Sequence, residues 1–554
     1  MFVRFMNPSI PPNLSAGHAV DPFPVNRLYV SLFLVTGCAF LLRFLTIDVR
    51  SLWLDEAWSA WFAARDWTYL LNEVPQFEVH PLFYYTVLKL WTGAFGETER
   101  ALRMLSTLVN CATIPLVAAA AWHAGSLRSR GIAALLAAIL FACSPTQIGA
   151  SQDARAYVFM TAGMALALLG ATLVLTNSDR AARPVGQLLR NDRAMLGALA
   201  ALAAGVALMA WSHNLGIVFA ALFGLGLLTA WAMVGRPRGL LVNLTLAAVL
   251  ALLLYLPNIP ILLKQLGTVG STGFWLSRPG LRGLVDTLAG LPMGYRPVGN
   301  LKPVVALLAL VVVAGAWGLW RDGRDAPGRR ATVLLLVCML FGPAIALWVV
   351  SHVAQPVFLA RTLQASQVPA IILMAFAPFA WPLASRFAAA AMALGAIASL
   401  SIADRHFQPP FEPWRELALQ VAAEPPGRML VVVVQSEGEL PLRYYQRRLG
   451  LKMDMHVVTG SYPVRGAGYS YPAGGRGAPG VVPAMIPPMV AKAQGFEGVW
   501  LVHRSEAIFD PDKLVRSALA TQFPCTRHVN ALADRLERRR DDGSCPVAME
   551  GPQT

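Results

Sequence analysis

The sequence predicts an all-α polytopic membrane domain of about eleven spans, followed by a small C-terminal α/β unit outside the membrane. Three observations predict it. Apolar runs of about 20 residues recur between residues 27 and 403, each long enough to cross a bilayer as a helix. The 554 residues are 56% hydrophobic and only 14% charged, with mean hydropathy +0.52, which lies outside the range of soluble proteins. From residue 404 the long apolar runs end, charge returns, and apolar stretches of strand length take over.

Residues 1–26 hold Pro, Asn and Ser but no apolar core flanked by a small-residue cleavage site, so they read as a cytoplasmic segment without a cleaved signal peptide. The span at 27–47 then serves as an uncleaved anchor. The connection that follows, 48–100, contains a second apolar stretch at 81–95. It is short for a span and carries Lys89 at its middle, which suits a helix lying at the interface.

Charge gives an independent test. If 81–95 does not cross, the spans are 27–47, 101–122, 131–150, 157–176, 194–212, 215–234, 239–262, 302–320, 331–350, 362–381 and 387–403. Arg128 and Arg130, the group Arg180, Arg183, Arg190 and Arg193, then Arg236 and Arg238, then Arg321, Arg324, Arg329 and Arg330, and Arg386 all fall on one side, which must be cytoplasmic. The same topology explains the net charge of +15 without invoking nucleic acid. It sends to the outer face the loop with Asp55 and Glu56, the link around Asp153 and Arg155, His213, the segment 263–301, the segment from His352 to Arg361, and the tail 404–554. The 263–301 segment carries Lys264, Arg278, Arg282 and Arg296, with Lys302 just beyond, against Asp286 alone. Positive charge on that side fits an anionic lipid headgroup or phosphate.

In the tail, 428–434, 453–458 and 498–502 read as strands and 440–449 as a helix, while 459–488, rich in Gly, Pro and Tyr, reads as a long mobile loop. Cys38, Cys111, Cys143 and Cys338 lie in apolar spans as small core residues. Cys525 and Cys545 are the pair that an oxidising compartment could join. The chain shows no internal repeat, Walker loop, zinc-ligand cluster or nucleophile elbow.

The chemistry is expected at Ser51-Leu-Trp-Leu-Asp55-Glu56-Ala-Trp58-Ser59. Two adjacent carboxylates where a membrane segment meets water cost desolvation energy and contribute nothing to insertion. Moving a sugar from a phosphate to a hydroxyl needs a base near the acceptor and positive charge near the departing phosphate. Asp55, with Glu56 beside it, suits the first role, although Asp55 capping a helix that begins at Glu56 would serve folding as well. Asp153 and Arg155 read either as a self-neutralising surface pair or as a second acid with a phosphate contact. His80 precedes Pro81, which biases it to an extended backbone at the mouth of the next helix. Arg361, at the start of a span, either snorkels or holds a lipid phosphate. His213, His352, Arg103 and Arg43 read as polar groups at span ends. Two acidic sites on separate outer loops leave a divalent cation open, but without a third oxygen ligand no metal ligand is assigned.

Leu52-Trp-Leu-Asp-Glu-Ala-Trp-Ser59, His80-Pro-Leu-Phe-Tyr-Tyr85, Phe95-Gly-Glu-Thr-Glu-Arg-Ala-Leu-Arg103 and Ser151-Gln-Asp-Ala-Arg-Ala-Tyr157, in this order, resemble the bacterial branch of the protein O-mannosyltransferase superfamily, which includes the aminoarabinose lipid A transferase. The resemblance covers residues 27–405. It implies a GT-C membrane fold with three juxtamembrane helices in the first outer loop, Asp55 as catalytic base, and a second acidic site at Asp153 followed by Arg155 and Tyr157. The second proline that the family places after His80 is Leu82 here, and the family's later Arg-Tyr-Leu element is matched only as Arg361-Thr-Leu363. The expected function is transfer of a sugar, with inversion, from a polyprenyl-phosphate donor to a hydroxyl of a lipid, glycan or protein. It is placed at the outer face of a bacterial inner membrane, with His80, Asp153, Arg155, Tyr157, Lys264 and Arg361 binding substrate. A transporter or flippase of lipid-linked sugars, and an O-antigen ligase or polymerase, are the rival readings.

Overall fold

A computed structural model describes residues 24–272, 276–292, 302–381, 412–463 and 480–546. Residues 1–23, the expected span 387–403, the boundary at 403/404, Arg296, Arg386 and most of the 459–488 stretch lie outside the described residues, and so does the side chain of Lys302.

Among the described residues nine helices are long and apolar enough to cross a membrane, and a tenth arises if Arg130–Cys143 and Pro145–Ser151, bent by 59°, form one span. The ten match the expected spans one for one, apart from 387–403. The protein is a multi-pass membrane protein. The bend lies at Pro145, which has no N–H to continue the helix; Ser144 caps the new start by accepting from Gln147 N at 3.3 Å. At the centre of the bundle, Tyr157–Thr176 packs along Arg193–Ser212 through small residues. A Cβ on Gly170 would sit 2.5 Å from Leu202 N, and one on Gly205 2.4 Å from Ala167 N, so glycine at both positions is what lets the backbones meet.

The apolar stretch at 81–95 is the helix Phe83–Phe95, whose 13 residues are too few to span. The connection after the first span contains three short helical pieces: Leu54–Ala63, the irregular turns Tyr69–Gln76, and Phe83–Phe95. Lys89 is the clamp between the first and the last. Its ammonium donates to the carbonyls of Ala63 (3.3 Å) and Arg65, which the end of Leu54–Ala63 leaves without intrahelical partners.

The C-terminal part is a five-stranded sheet of order β2-β1-β3-β5-β4, where β1 is Met429–Val433, β2 Asp454–Val457, β3 Gly498–Val502, β4 Cys525–Asn530 and β5 Ala533–Glu537. The pairs β1·β2 and β1·β3 are parallel; β5 pairs antiparallel with β3 and with β4. Met429, Val431, Val433, Trp500 and Val502 face the first connection, while Leu430, Val432, Val434, Val499 and Leu501 face the helices Ile486–Ala493 and Leu514–Gln522. Burial on both faces explains why β1 and β3 read as unbroken apolar runs. The first of those helices starts inside the stretch that composition assigned to a loop. Cys525 and Cys545 are bonded.

This sheet unit is bound to the first connection by side-chain hydrogen bonds. Tyr445 Oη donates to Glu99 (2.5 Å) and accepts from Leu52 N (2.7 Å). Arg415 reaches Glu99 at 3.0 Å and the carbonyl of Val49 at 3.0 Å. Glu412 accepts from Leu54 N (2.9 Å) and Arg504 Nε (2.7 Å), and its carbonyl accepts from Ser51 Oγ (2.8 Å).

Candidate active site

Leu54–Ala63 begins at Leu54, with Trp53 in extended conformation before it. Asp55 therefore lies inside the first turn and is not the cap. Glu56 takes the capping role, its Oε2 accepting from Trp53 N at 3.3 Å. Both carboxylates sit where the helix N-terminus favours negative charge.

The two acids then part company. Glu56 has no exposed surface, and both its oxygens are in use: Oε1 accepts from Arg103 Nε (2.7 Å) and Ala154 N (2.9 Å), and Oε2 from Arg103 Nη2 (2.6 Å) as well as Trp53 N. Arg103 also donates to the carbonyls of Ile47 (2.8 Å), Arg50 (2.7 Å) and Ser51 (3.0 Å), so this pair fastens the first connection to the bundle. Asp55 is 6% exposed, and its Oδ2 has no hydrogen-bond partner. That oxygen lies 3.2 Å from Arg361 Nη2 and 3.9 Å from Arg155 Nη2, close enough for charge attraction but not aligned for hydrogen bonds.

Arg155 comes from the link before Tyr157–Thr176, and its Nη1 donates to the Asp55 carbonyl at 3.2 Å. Burial alone would lower its pKa, but Tyr85, Asp55, Tyr157 and Glu78 outweigh that and hold the guanidinium firmly charged. Arg361 lies in the turn Ala360–Ser366, with its guanidinium 5.4 Å above the Trp53 ring. Its side chain is 34% exposed against 5% for Arg155, and its Nε has no partner. Of the two cations, Arg361 is the one open to a ligand.

A ring wall closes one side. Arg155 lies over Tyr157 (6.0 Å), Tyr157 stacks on His213 (6.2 Å), and His213 meets His80 edge to face (5.2 Å). Burial, with His80, Arg155 and Arg361 nearby, drives the His213 pKa well down, so its imidazole is neutral. His80 is tied through Nδ1 to the buried carboxylate of Glu78, and Gln265 Nε2 holds the carbonyls of Glu78 and His80, each at 2.9 Å. Lys264, expected in a loop, is exposed on the helix Ile259–Thr272 next to Gln265. Asp153 lines a 290 Å³ cavity with Arg50, Trp53, Glu56, Arg103, Gln152 and Glu412; Asp55 is not part of that wall. Burial and the neighbouring Glu56 raise the Asp153 carboxyl to about 7, against the pull of Arg50 and Arg103.

Two features escaped the sequence reading. Glu437, just past β1, is 6% exposed and near enough to Asp55 to feel its charge; burial and then Asp55 raise its carboxyl to about 7, against Arg504. Its position after the carboxyl end of a buried parallel strand, where ligands gather in open α/β sheets, is a signal that could have found it. The second is a group able to take a cation. His528 Nδ1 lies 2.8 Å from Asp534 Oδ1 and His503 Nε2 lies 3.4 Å from Asp534 Oδ2, which Arg516 also holds at 2.5 Å. Sheet pairing joins these residues across sequence, so no ligand spacing announces them. Two histidines and a carboxylate suit a transition-metal dication.

No protein-family model and no curated protein matches the chain. Solved structures do. ArnT from Cupriavidus metallidurans in the apo state superposes with TM-score 0.59 at 16% identity, over 95% of this chain and 100% of that one. The same protein bound to undecaprenyl phosphate gives 0.56 at 16% identity, over 93% and 99%. An oligosaccharyltransferase from Archaeoglobus fulgidus, tethered with an acceptor peptide containing the NVT sequon, gives 0.51 at 14% identity, over 89% and 72%. The chain has the GT-C membrane fold of these proteins.

Proposed function

We propose that the protein is a membrane glycosyltransferase that takes a sugar from a polyprenyl-phosphate donor and transfers it, with inversion, to an acceptor hydroxyl. The observation that carries this reading is the Asp55 carboxylate, with its unpartnered Oδ2 flanked by Arg155 and Arg361. The likeness to ArnT, one of whose structures holds undecaprenyl phosphate, supports the choice of donor. In the proposed step the acceptor oxygen attacks the anomeric carbon as the bond from that carbon to the phosphate oxygen breaks. The acceptor proton passes to Asp55. The leaving polyprenyl phosphate keeps the electron pair, and its new charge is met by Arg361, with Arg155 holding the base in place. Glu56 holds the first turn and does not take the proton, because all its accepting directions are filled. His80, Tyr157 and the neutral His213 supply a rigid wall, Asp153 lines the adjoining cavity, and Lys264 adds outer positive charge.

The bonded Cys525 and Cys545 support an outer, oxidising side for the sheet unit and the site, as in a bacterial periplasm. The test is transfer by purified protein in detergent, where no sealed compartment exists, from polyprenyl-monophosphate sugars to lipid, glycan and peptide acceptors, with the product's anomeric configuration read by NMR. Retained configuration, or no transfer from any such donor while a diphosphate-linked donor works, would remove this mechanism.

A further inference from the structure

The carboxyl ends of β1 and β2 hold a set of buried polar groups with nothing to bond to. Gln435 (1% exposed), Ser436 (0%) and Thr459 (4%) carry side-chain Nε2, Oε1, Oγ and Oγ1 atoms that make no hydrogen bond. Across the facing helix the Trp58 Nε1 is unpartnered too. Buried polar groups are almost always paired, because one left alone has lost its water and gained nothing in return. These atoms belong to residues at the ends of β1 and β2 and to the helix packed against them.

Their placement follows from strand register. Val433 pairs with Val457 on one side and Val502 on the other, the last pairs of this part of the sheet, so Gln435 and Thr459 each follow a paired strand end by two residues. Side chains alternate between the faces of a strand, and Val431 and Val433 are on the face that packs against the first connection, which directs Gln435 to that face as well. The helix carrying the base is directly opposite. Ala57 and Trp58 of that helix pack on Leu440 and Tyr462, which bracket the two strand ends in sequence, and Glu437 lies within the field of Asp55.

We infer that the ends of β1 and β2, through Gln435 and Thr459 with Trp58 opposite, form the subsite for the acceptor, and that the acceptor presented there is an uncharged, hydroxyl-rich carbohydrate. An amide and a hydroxyl offer donors and acceptors together and no charge, which matches sugar hydroxyls and not a phosphate or a carboxylate. Indole edges and faces add the contact that pyranose C–H surfaces need. The inference rests on the proposed transfer reaction, which needs an acceptor hydroxyl beside Asp55.

The experiment is saturation-transfer NMR on the full chain in detergent with the methyl glycosides of glucose, mannose and galactose as probes, alongside undecaprenyl phosphate binding. The expected result is saturation of at least one glycoside by the wild type, a loss of that signal by tenfold or more in Gln435→Leu and Thr459→Val, and unchanged undecaprenyl phosphate binding in both. Because the wild-type groups are unpaired, the near-isosteric Thr459→Val should melt at the same temperature as wild type or higher, which separates loss of a subsite from loss of fold. No signal from any glycoside with wild type overturns the inference. So does a signal that survives in both variants. Sugar binding needs no catalysis, so Asp55→Asn should keep the signal. Saturation without transfer would strike the reaction and leave the subsite; transfer that is indifferent to Gln435 and Thr459 would do the reverse.

Discussion

Asp55 Oδ2 and Arg361 Nη2 face each other at 3.2 Å without a hydrogen bond between them, an acid and a cation from opposite parts of the chain each keeping an unsatisfied atom. A fully made ion pair would have used up both groups. This one leaves the carboxylate able to take a proton and the guanidinium able to take a phosphate.

Asp55→Asn should therefore separate the two roles. Transfer is expected to fall about 10³-fold, the scale of a lost general base. Undecaprenyl phosphate should bind as well as before or up to about tenfold tighter, since the competing carboxylate is gone. Single-turnover transfer and equilibrium lipid binding on the same preparation check both halves.

Arg361→Ala should weaken undecaprenyl phosphate binding by about 10- to 100-fold, the value of a hydrogen bond to a charged group. Arg361→Lys should recover only part of this, because an ammonium cannot bond through Nε while lying over Trp53. Arg155 is nearly buried and bonded to the Asp55 backbone, so Arg155→Lys should lower kcat more than lipid affinity.

Glu56→Gln and Arg103→Met should each destabilise by about 3–5 kcal/mol, because each strands a buried charge. The double variant should be more stable than the sum of the single losses predicts. Thermal unfolding in detergent reads this coupling. If Glu56→Gln kept full stability and lost only activity, the scaffold role would be wrong.

The pH dependence has a definite sign. The Asp153 carboxyl is at about 7 in the folded protein against 3.8 as its ordinary value, so the folded state holds the extra proton between those values. Stability should be fully present below about pH 4 as far as this group is concerned, and fall as pH rises to about 7. Asp153→Asn should flatten part of that slope and raise the melting temperature at pH 8. Glu437→Gln should do likewise, its carboxyl being raised in the same direction.

Cys525 and Cys545 close a loop with a sequence separation of 20, worth about 3 kcal/mol by loop-closure entropy. Thiol labelling of whole cells should modify neither residue before reduction and both after. Cys525→Ser should lower the melting temperature of the sheet unit.

The sequence made the spans legible because bilayer thickness sets a length and arginines mark a side, and it excluded 81–95 by the same two rules. Asp55, Arg155, Tyr157 and Arg361 were legible as polar residues that a membrane face does not need, and the structure brings these four together. Glu56 read as a neighbour of the base Asp55 in the same catalytic site because nothing local shows what it bonds to; what sets it apart is Arg103, supplied by the next long helix. The hairpin β4–β5 was missed because Cys-Thr-Arg-His-Val-Asn and Ala-Asp-Arg-Leu-Glu lack the apolar run of a strand buried on both faces. Glu437 and Gln435 follow a strand that was legible, and their place at its carboxyl end was the one available signal; what no local pattern says is that the sheet folds back onto the first connection.

The bonds from Glu412, Arg415 and Tyr445 to Ser51, Leu52, Leu54 and Glu99 have a consequence for biogenesis. The loop around Asp55 is made early, Ser51 coming 361 residues before Glu412, so it must wait for the partners that fix it. A chain halted before residue 412 would own Asp55, Arg155 and Arg361 and still lack the clamp that fixes the first connection beside them.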